Sequence, residues 1–371
     1  MYTIFVDNKV LYSPLLFNEG CGVLSPKLTI ELNKAGSLQF TIPPHNLLYN
    51  EVKKLKSMVT VLQNGIELFR GRVLYDDRDM YNQKQTYCEG ELAFLLDSKQ
   101  RPYTFENGTP AELFTKYITN HNARVEAAKR FTVGKVDVTT TSNSAITGTE
   151  DDDNKISVEN KNYPSTIDEI NNLISNYGGY VKIRSSGSKR YIDWTNKSGN
   201  KSTQTIEFGV NLLDITEHIT AENIFTILIP LGASRTDDNG NDLGKLTITS
   251  VNNGKDYIEN TTAINLFGRI EEKYEWSEVT DAKKLLSLGK KLLDKNIELS
   301  ISLSLKAVDL SMLNVSYDRI QLGDYVRVIS IPHNLDKEFQ CTKIVYDMMN
   351  PDQNEYTFGI SYTSLTEKIA K

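Results

Sequence analysis

The sequence has few of the residues that stabilise disulfide-bonded domains. Its 371 residues include three cysteines, Cys21, Cys88 and Cys341, which lie far apart along the chain. An odd number of widely spaced cysteines does not suggest a disulfide framework, because such frameworks use paired cysteines at close, regular spacing. It indicates synthesis in a reducing compartment.

Long apolar runs and dense basic runs are also missing. No apolar stretch approaches the roughly 20 residues of a membrane span, and the chain does not open with a secretory signal. The net charge is −6 and the isoelectric point is about 5.5. A mildly acidic chain without a lysine and arginine cluster does not hold nucleic acid tightly, although DNA can pass along its surface. We therefore expect no membrane span and no sequence-specific nucleic acid binding.

Histidine is scarce, and no catalytic motif is present. The four histidines are His45, His121, His218 and His333, and none belongs to an HExxH motif or has metal-ligand spacing. His45 and His333 follow prolines and are predicted to lie in loops. There is no GxSxG turn and no glycine-rich phosphate loop. We predict no catalytic, metal-binding or cofactor-binding residues. The one alternative is a cysteine and a histidine that are distant in sequence but adjacent in the folded protein.

Two acidic segments raise the question of calcium binding. An EF-hand loop that began at Asp237, in "DDNGND", would need glycine at its sixth position and glutamate at its twelfth, where Asp242 and Ile248 stand. We therefore predict a polar hairpin turn there. The segment Glu150–Asp153 is predicted to be a solvated loop.

Alternating hydrophobicity predicts several antiparallel strands in the first hundred residues. In "LTIELNKAGSLQFTIP" apolar residues alternate on both sides of a turn at Ala35–Gly36, which is typical of a hairpin with one buried face. A second hairpin surrounds Asn64–Gly65, a common tight-turn dipeptide. Further strands are predicted near the C-terminus in "ELSISLSLKAVDL", "QLGDYVRVISI", "EFQCTKIVYD" and "NEYTFGISY". Short antiparallel strands of this kind indicate a small barrel or sandwich.

Three helices are predicted between these strands. The first begins at Thr109, which can form a capping box with Glu112 across Pro110. The second begins at "PSTIDEI", where Thr166 and Glu169 have the same spacing, and it ends at Gly178–Gly179. The third, "VTDAKKLLSLGKKLLDKN", is amphipathic, with leucines on one face and lysines on the other.

One local pattern occurs twice. Tyr75 and Tyr346 lie 271 positions apart, as do Thr86 and Thr357, within "ELFRGRVLYDDRDM" and "EFQCTKIVYDMMN". Upstream, "VTV" at Val59 and "VRV" at Val326 lie 267 positions apart. We interpret this as a repeated β unit in which Tyr75 and Tyr346 are equivalent. A chance likeness between two meanders is the alternative, and the hairpin before Ile42 has no visible partner in the second copy.

The order of these segments resembles a known family. The chain is similar to the tail-associated "prophage endopeptidase tail" family, which is related in fold to the baseplate hub of contractile-tailed phages. The resemblance depends on "LNKAGSLQFTIPPHN", "ELFRGRVLYDDRDM", "YCEGELAFLLDS", "TPAELFTKYITNHN", "ENIFTILIPLGA" and "IQLGDYVRVIS". None of these is a catalytic signature, but together they span nearly the whole chain.

The resemblance implies a mainly β fold with α+β parts. Two similar antiparallel β-barrel domains are expected, together with an α+β domain and a small inserted domain. The boundaries that we predict are 1–100 for the first barrel, 101–205 for the α+β domain, 206–234 and 297–365 for the split second barrel, and 235–296 for the inserted hairpin-helix domain.

The family also implies a function in the virion, after synthesis in the cytoplasm of the bacterial host. The expectation is a structural hub at the distal tail tip, a homotrimer that joins the tail tube to the tip during host cell attachment and DNA ejection. Its expected partners are the distal tail protein or tail tube ring, the tape-measure protein, and tip spike or receptor-binding proteins. The chain stops shortly after the second barrel, so we do not expect the "endopeptidase" of the family name to apply. A tail-associated peptidoglycan hydrolase or host-glycan-binding protein is the alternative.

Overall fold

The computed structural model of the protein describes residues 1–142, 154–187, 189–220, 224–237, 241–276, 279–296, 299–312 and 317–363. Within these residues the strands form one large sheet of 13 strands and four small sheets. The helices are short and lie between groups of strands. The predicted mainly β fold with α+β parts is confirmed.

The N-terminal part of the large sheet consists of seven strands. Their bounds are β1 Tyr2–Val6, β2 Lys9–Tyr12, β3 Leu24–Glu31, β4 Ser37–Ile42, β5 Met58–Gln63, β6 Ile66–Arg78 and β7 Lys84–Gly90. They are hydrogen-bonded in the order β3-β4-β7-β6-β5-β1-β2. The predicted turn at Asn64–Gly65 joins β5 to β6, and both of its residues have positive φ, 51° and 82°, as a tight hairpin turn requires.

The C-terminal part supplies the other six strands. Their bounds are β13 Ile206–Glu207, β14 Leu212–Thr220, β20 Leu299–Ala307, β21 Tyr325–Ser330, β22 Leu335–Asp347 and β23 Glu355–Thr363. Strands β14, β20, β23 and β22 follow one another in the sheet, β21 pairs with β22, and β13 pairs with β21. One hydrophobic core contains side chains from both parts, among them Leu28, Leu38, Leu303 and Phe358, all fully buried.

The two expected barrels are therefore parts of one continuous sheet. Strand β22 pairs with β3 through an antiparallel ladder from Lys343–Glu31 to Asp347–Lys27. Among the described residues the strand order runs openly from β14 to β2, and no ladder closes either part into a barrel. The boundaries predicted for the barrels stay predictions, but the residues that they enclose share a sheet and a core.

A middle unit lies between β7 and β13. Its elements are β8 Tyr103–Gly108, α1 Pro110–Asn122, β9 Thr132–Val136, β10 Ile156–Asn160, α2 Thr166–Tyr177, β11 Tyr180–Ser186 and β12 Lys189–Thr195. The two helices pack on the three-stranded sheet β11-β12-β9 around Phe114 and Trp194, whose rings stack with centroids 5.5 Å apart. Helix α1 begins as predicted, because Thr109 and Glu112 form the reciprocal capping box.

The predicted cap of the second helix is wrong by one residue. Ser165 caps α2 and forms the capping box with Asp168, whereas the sequence analysis assigned these roles to Thr166 and Glu169. Both pairs have the required spacing, and tertiary contacts decide between them. The Thr166 hydroxyl lies 2.7 Å from the Ser98 hydroxyl, and the Glu169 carboxylate accepts a hydrogen bond of 3.2 Å from the Tyr117 hydroxyl.

An inserted unit separates β14 from β20. It contains β15 Ile227–Leu231, β16 Ser234–Thr236, β17 Asp242–Lys245, β18 Ile258–Glu259, α3 Thr261–Phe267, β19 Glu271–Glu275 and α4 Ala282–Asn296. We predicted that residues up to 234 belong to the second barrel, but β15 pairs with β18 and β19 and not with the large sheet. It packs against the predicted amphipathic helix α4, whose Leu285 and Leu293 are buried with Trp276 in a separate core.

No helix in the described parts of the chain is both long enough and apolar enough to cross a membrane. The longest of them, α4, has 15 residues and carries lysines on one face.

Candidate assembly surface

The two halves of the large sheet have the same strand arrangement. In the first, a hairpin of β3 and β4 is followed by a meander, in the order β3-β4-β7-β6-β5; in the second, the order is β14-β20-β23-β22-β21. The central meander strands β6 and β22 both contain 13 residues. The repeat predicted from the sequence is therefore confirmed as a shared topology. We call the two arrangements the first copy and the second copy.

The hairpin that had no visible partner has one in the structure. Strands β14 and β20 occupy in the second copy the places that β3 and β4 occupy in the first. The sequence hides this equivalence because the inserted unit stands between Thr220 and Leu299, where the first copy has only the short turn from Leu32 to Gly36. The whole five-strand arrangement is thus duplicated.

The residue-by-residue equivalence differs from the sequence prediction. In β6 one extra residue bulges between Val73 and Tyr75, opposite β7. In β22 the same bulge lies between Cys341 and Lys343, opposite β23. Matching the bulges makes Tyr75 equivalent to Lys343, so the predicted equivalence of Tyr75 and Tyr346 is wrong.

In the bulge-matched register, several fully buried side chains of the two copies coincide. Val59 and Val326, which the sequence comparison had already paired, are both fully buried at equivalent places. The same register matches Cys88 with Phe358 and Leu38 with Leu303. A β-bulge inserts one residue on one strand only. A comparison at constant offset cannot detect it, and this explains the misplaced tyrosines.

The junction between the copies uses one edge of β22 twice. Residues 335–340 pair with β21 of the second copy, and residues 343–347 pair with β3 of the first copy. On the buried face of this junction Tyr346 lies opposite Leu28. On the other face Lys343 lies opposite Glu31, a favourable charge pair across neighbouring strands. The copies are thereby linked by backbone hydrogen bonds.

The two outer edges of this duplicated arrangement remain unpaired within the described residues. Strand β5 pairs with β6 only as far as Arg72, so the stretch Tyr75–Arg78 has no strand on that side. At the opposite end of the duplicated arrangement, β14 pairs with β20 alone. Unpaired edges are templates for strand addition. The free edge of β6 corresponds to the edge of β22, and the free edge of β14 to the edge of β3, that pair with each other inside the chain.

Both additional units lie at the same rim of the large sheet. The middle unit contacts the turn between β3 and β4, where the Asn33 side chain accepts a hydrogen bond from the Val181 N–H at 2.8 Å and donates one to the Gly179 carbonyl at 3.2 Å. The inserted unit replaces the equivalent turn of the second copy. The opposite rim carries two similar hairpin tips, between β6 and β7 and between β22 and β23.

Hydrogen bonds in the middle unit fix the tautomer of a buried histidine. His121 is fully buried, with Nε2 3.0 Å from the Lys129 carbonyl and Nδ1 2.8 Å from the Ser98 hydroxyl. A carbonyl only accepts, so Nε2 carries the hydrogen and Nδ1 accepts one from Ser98. Ser98 in turn accepts from Thr166, which accepts from the Gln100 amide. Burial lowers the pKa of His121, outweighing the hydrogen bond to the Lys129 carbonyl.

The other histidines show no common site. His45 and His333 lie in exposed turns, as predicted, and His218 is exposed on β14. In the described parts of the chain no group of three or more histidine, cysteine, aspartate or glutamate side chains could hold a metal ion. Burial raises the pKa of the Cys88 and Cys341 thiols above their usual range, which disfavours the nucleophilic thiolate.

The acidic segments lie partly outside the described residues. Glu150–Asp153 lies outside the described residues. Asp237 and Asp242 belong to the predicted polar hairpin of β16 and β17, where the Asp237 carboxylate accepts a hydrogen bond of 2.8 Å from the Asn241 N–H. Residues 238–240, at its tip, are again outside the described residues.

A cleft of 380 Å³ lies between the first copy and the middle unit. Four of its charged side chains bind one another. Arg190 contacts Glu67 at 2.6 Å and also Glu91, and Glu91 contacts Arg70 at 2.8 Å. These ion pairs join the middle unit to β6, so the cleft is a structural contact between two parts of the chain.

Comparisons with known proteins agree with this architecture. Residues 200–369 match the sequence model of the family described as prophage endopeptidase tail. The crystal structure of prophage tail protein gp18 from Listeria monocytogenes EGD-e is similar with a TM-score of 0.55 and 15% identity, over 93% of this chain and 91% of that one. No curated protein matches the chain.

Two further crystal structures are similar over almost their full length. The 43 kDa tail protein of prophage MuSo2 from Shewanella oneidensis has a TM-score of 0.61 and 12% identity, over 97% of this chain and 98% of that one. The tail protein from Neisseria meningitidis MC58 has a TM-score of 0.60 and 11% identity, over 98% and 97%. At sequence identities this low, the similarity is evidence of a shared fold only. The chain therefore has the fold of prophage tail proteins along nearly its whole length and matches the prophage endopeptidase tail family in residues 200–369, which confirms the resemblance inferred from the sequence.

Proposed function

We propose that the protein is a structural hub at the distal end of a phage tail tube. Three chains form a ring with pseudo-sixfold symmetry that joins the tube to the tip and lets DNA pass. The observation that carries this proposal is the internal junction, in which two copies of one arrangement are joined edge to edge by β22 and β3. A contact of this heterologous kind closes into a ring when it repeats around an axis.

The number of strands supports a channel. Each chain would contribute β14, β20, β23, β22, β3, β4, β7 and β6 to the ring. Three chains then supply a closed sheet of 24 strands. With strands about 4.8 Å apart and tilted by about 40°, its backbone diameter is roughly 48 Å. Barrels of about 16–18 strands already leave a water-filled channel, so this ring is wide enough for a nucleic acid duplex.

The outward face of these strands is polar, with uncharged side chains among charges of both signs such as Lys27 and Glu355. Gln39, Gln85 and Ser304 are exposed on it, and Thr41 is partly exposed. In the proposed ring this face lines the channel. Neutral hydrogen-bonding side chains do not attract phosphate groups strongly, because phosphate binding depends mainly on lysine and arginine. Such a lining lets DNA slide without being held.

The two rims of the ring suit different partners. The rim with the similar hairpin tips repeats six times with little difference and faces the tail tube ring or the distal tail protein. The other rim carries the middle unit and the inserted unit in alternation, so it repeats three times. That rim faces the tip spike, the receptor-binding proteins or the end of the tape-measure protein. The duplication thereby adapts a sixfold tube to a threefold tip.

Electron cryomicroscopy of intact tail particles tests this proposal. We expect three copies of the chain per particle, arranged around the tube axis with the large sheets facing the channel. Six copies per particle, or large sheets that lie away from the axis, would contradict it.

We also propose that the protein has no catalytic activity. The support is the chemistry of its side chains, since burial raises the pKa of two thiols and lowers the pKa of the buried histidine. No observation on the described residues favours a peptidoglycan hydrolase or a glycan-binding protein. Purified protein incubated with labelled cell wall is expected to release no more soluble peptide or reducing sugar than a heat-inactivated sample. Release above that level would identify an enzyme.

A further inference from the structure

We infer that the free edge of β6 pairs with β14 of a second copy of the chain, antiparallel, with Arg78 opposite Glu217 of that copy. This inference rests on the proposed ring and specifies the contact that closes it. The partner is a second copy because the chain already contains the same contact once, between β22 and β3.

The register follows from the shared bulges. Counting five residues on from the matched positions Val73 and Cys341 leads to Arg78 in β6 and to Tyr346 in β22. Arg78 is therefore the counterpart of Tyr346. Inside the chain Tyr346 lies opposite Leu28 of β3.

The counterpart of Leu28 in the second copy is identified through its neighbouring strand. Leu28 lies opposite Leu38 in β4, and Glu217 lies opposite Leu303 in β20. Leu38 and Leu303 are equivalent and both fully buried. Glu217 therefore occupies the place of Leu28, and the contact that repeats Tyr346–Leu28 between two chains is Arg78–Glu217.

The charges on the two edges are complementary in this register. Arg78 and Glu217 are both exposed and carry opposite charges, and among the described residues neither forms an ion pair. The next pair in the same register, Asp77 with His218, brings no like charges together. Opposite charges directly across two strands favour pairing, and like charges oppose it. Charged side chains also keep an open edge from pairing with unrelated strands before assembly.

Exposed apolar side chains flank both edges at the same rim. Beside the end of β6, Met80 is 87% exposed and Tyr81 is 69% exposed. Beside the start of β14, Val210 is 67% exposed and Leu213 is 54% exposed. The antiparallel register brings these two groups together. Contiguous exposed apolar side chains with a polar surround are typical of protein–protein contacts.

Disulfide cross-linking tests the register directly. The full chain carrying Arg78→Cys and Glu217→Cys is oxidised mildly, both as purified protein at high concentration and in tail particles. Within one chain the two positions lie seven strand spacings apart, about 33 Å along the sheet, so a disulfide between them must join two chains. The three native cysteines are buried and do not compete.

A matched control uses Tyr75→Cys with Glu217→Cys. Tyr75 is also exposed and lies three residues from Arg78 on the same strand, about 10 Å away. If Tyr75 were equivalent to Tyr346, as the constant offset in the sequence suggested, Tyr75 and not Arg78 would lie opposite Glu217. Because cysteines with Cα atoms more than about 7 Å apart do not bridge, we expect roughly tenfold more cross-linked dimer and trimer from the Arg78 pair than from the Tyr75 pair.

The outcomes separate this inference from the proposed ring. Particles with three copies per tip in which the Tyr75 pair cross-links, or neither pair does, would overturn the register and leave the ring intact. Particles without three copies would overturn the ring as well. As a second measurement, Arg78→Glu is expected to reduce incorporation into particles at least tenfold, and Arg78→Glu with Glu217→Arg to restore it. Failure of the double variant while each single variant folds normally would also contradict the pairing.

Discussion

Lowering the pH should destabilise the middle unit through a single buried histidine. The unfolded chain binds a proton at His121 below a pH of about 6.5, the ordinary histidine pKa. The folded chain does not bind it until a lower pH, because burial lowers the pKa of His121. Between these two values the unfolded state binds more protons than the folded state, so stability is lost as the pH falls. The loss is about 1.4 kcal/mol for each pH unit in this window.

The geometry explains why the ring resists protonation. Both ring nitrogens already have partners, Nε2 as a donor to Lys129 and Nδ1 as an acceptor from Ser98. A second N–H at Nδ1 would face the hydroxyl hydrogen of Ser98, which would have to turn towards Thr166. The charged groups nearest to the ring are Asp97 and Lys129, which have opposite effects on the pKa of His121. Protonation therefore disturbs the whole hydrogen-bonded chain in addition to burying a charge.

Tryptophan fluorescence can follow this unit separately. Trp194 is fully buried in the core of the middle unit, and Trp276 lies in the core of the inserted unit. The indole N–H of Trp276 has no hydrogen-bond partner among the described residues, so Trp276→Phe is a mild background change. Urea unfolding of that variant at pH 7.5, 6.5, 6.0 and 5.5 is expected to show the decline in the free energy of unfolding mainly below a pH of about 6.5.

Two substitutions separate His121 from the other titrating groups. His121→Gln should abolish most of the decline, because glutamine does not titrate. His45→Gln should leave it unchanged, because His45 is exposed. A decline of equal slope in the His121→Gln variant would refute the reasoning, as would a wild-type free energy of unfolding that stays constant from pH 6.5 to 5.5.

Three further predictions concern stability, each measured by urea unfolding. Ser165→Ala removes the cap of α2 and should cost about 1 kcal/mol; no loss would mean that the cap is assigned wrongly. Arg72→Ala removes the buried guanidinium that binds both Glu89 and Asp97, and should cost about 1.5–3 kcal/mol at pH 7. Burial of Asp97 acts to raise its pKa, but its hydrogen bonds from arginine and lysine lower the pKa below the ordinary value. The cost of Arg72→Ala should therefore shrink as the pH falls below about 3.9; a cost independent of pH would contradict this. Gly90→Ala would place a Cβ atom 1.8 Å from the Ala35 carbonyl oxygen and should cost about 1–3 kcal/mol or more; an unchanged midpoint would show that the turn can move aside.

The local features of the fold could be predicted because neighbouring residues determine them. Asn64–Gly65 supplies two residues that adopt positive φ at low cost, so the turn follows from the dipeptide itself. Thr109 and Glu112 cap α1 through bonds that span three residues. In both cases no distant part of the chain competes for the same groups.

The features that could not be predicted depend on distant residues. Thr166 had the right spacing for a cap, but its hydroxyl is bound to Ser98, 68 positions away. The bulges in β6 and β22 are properties of strand pairs, so the sequence of one strand does not reveal them. Whether the edges of β6 and β14 are paired depends on where the other strands lie, and no local sequence pattern specifies that.

The junction between β22 and β3 has a consequence for the order of folding. Lys343 is synthesised 312 residues after its partner Glu31. At about 5–20 residues per second this interval lasts roughly 15–60 s, whereas hairpins form within about 1–10 μs. The β3–β4 hairpin can therefore form long before β22 is synthesised. Until then the outer edge of β3 is unpaired in the nascent chain. During that time β3 offers its free edge to any strand nearby, so we expect the nascent chain to be most prone to aggregation before its second copy is complete.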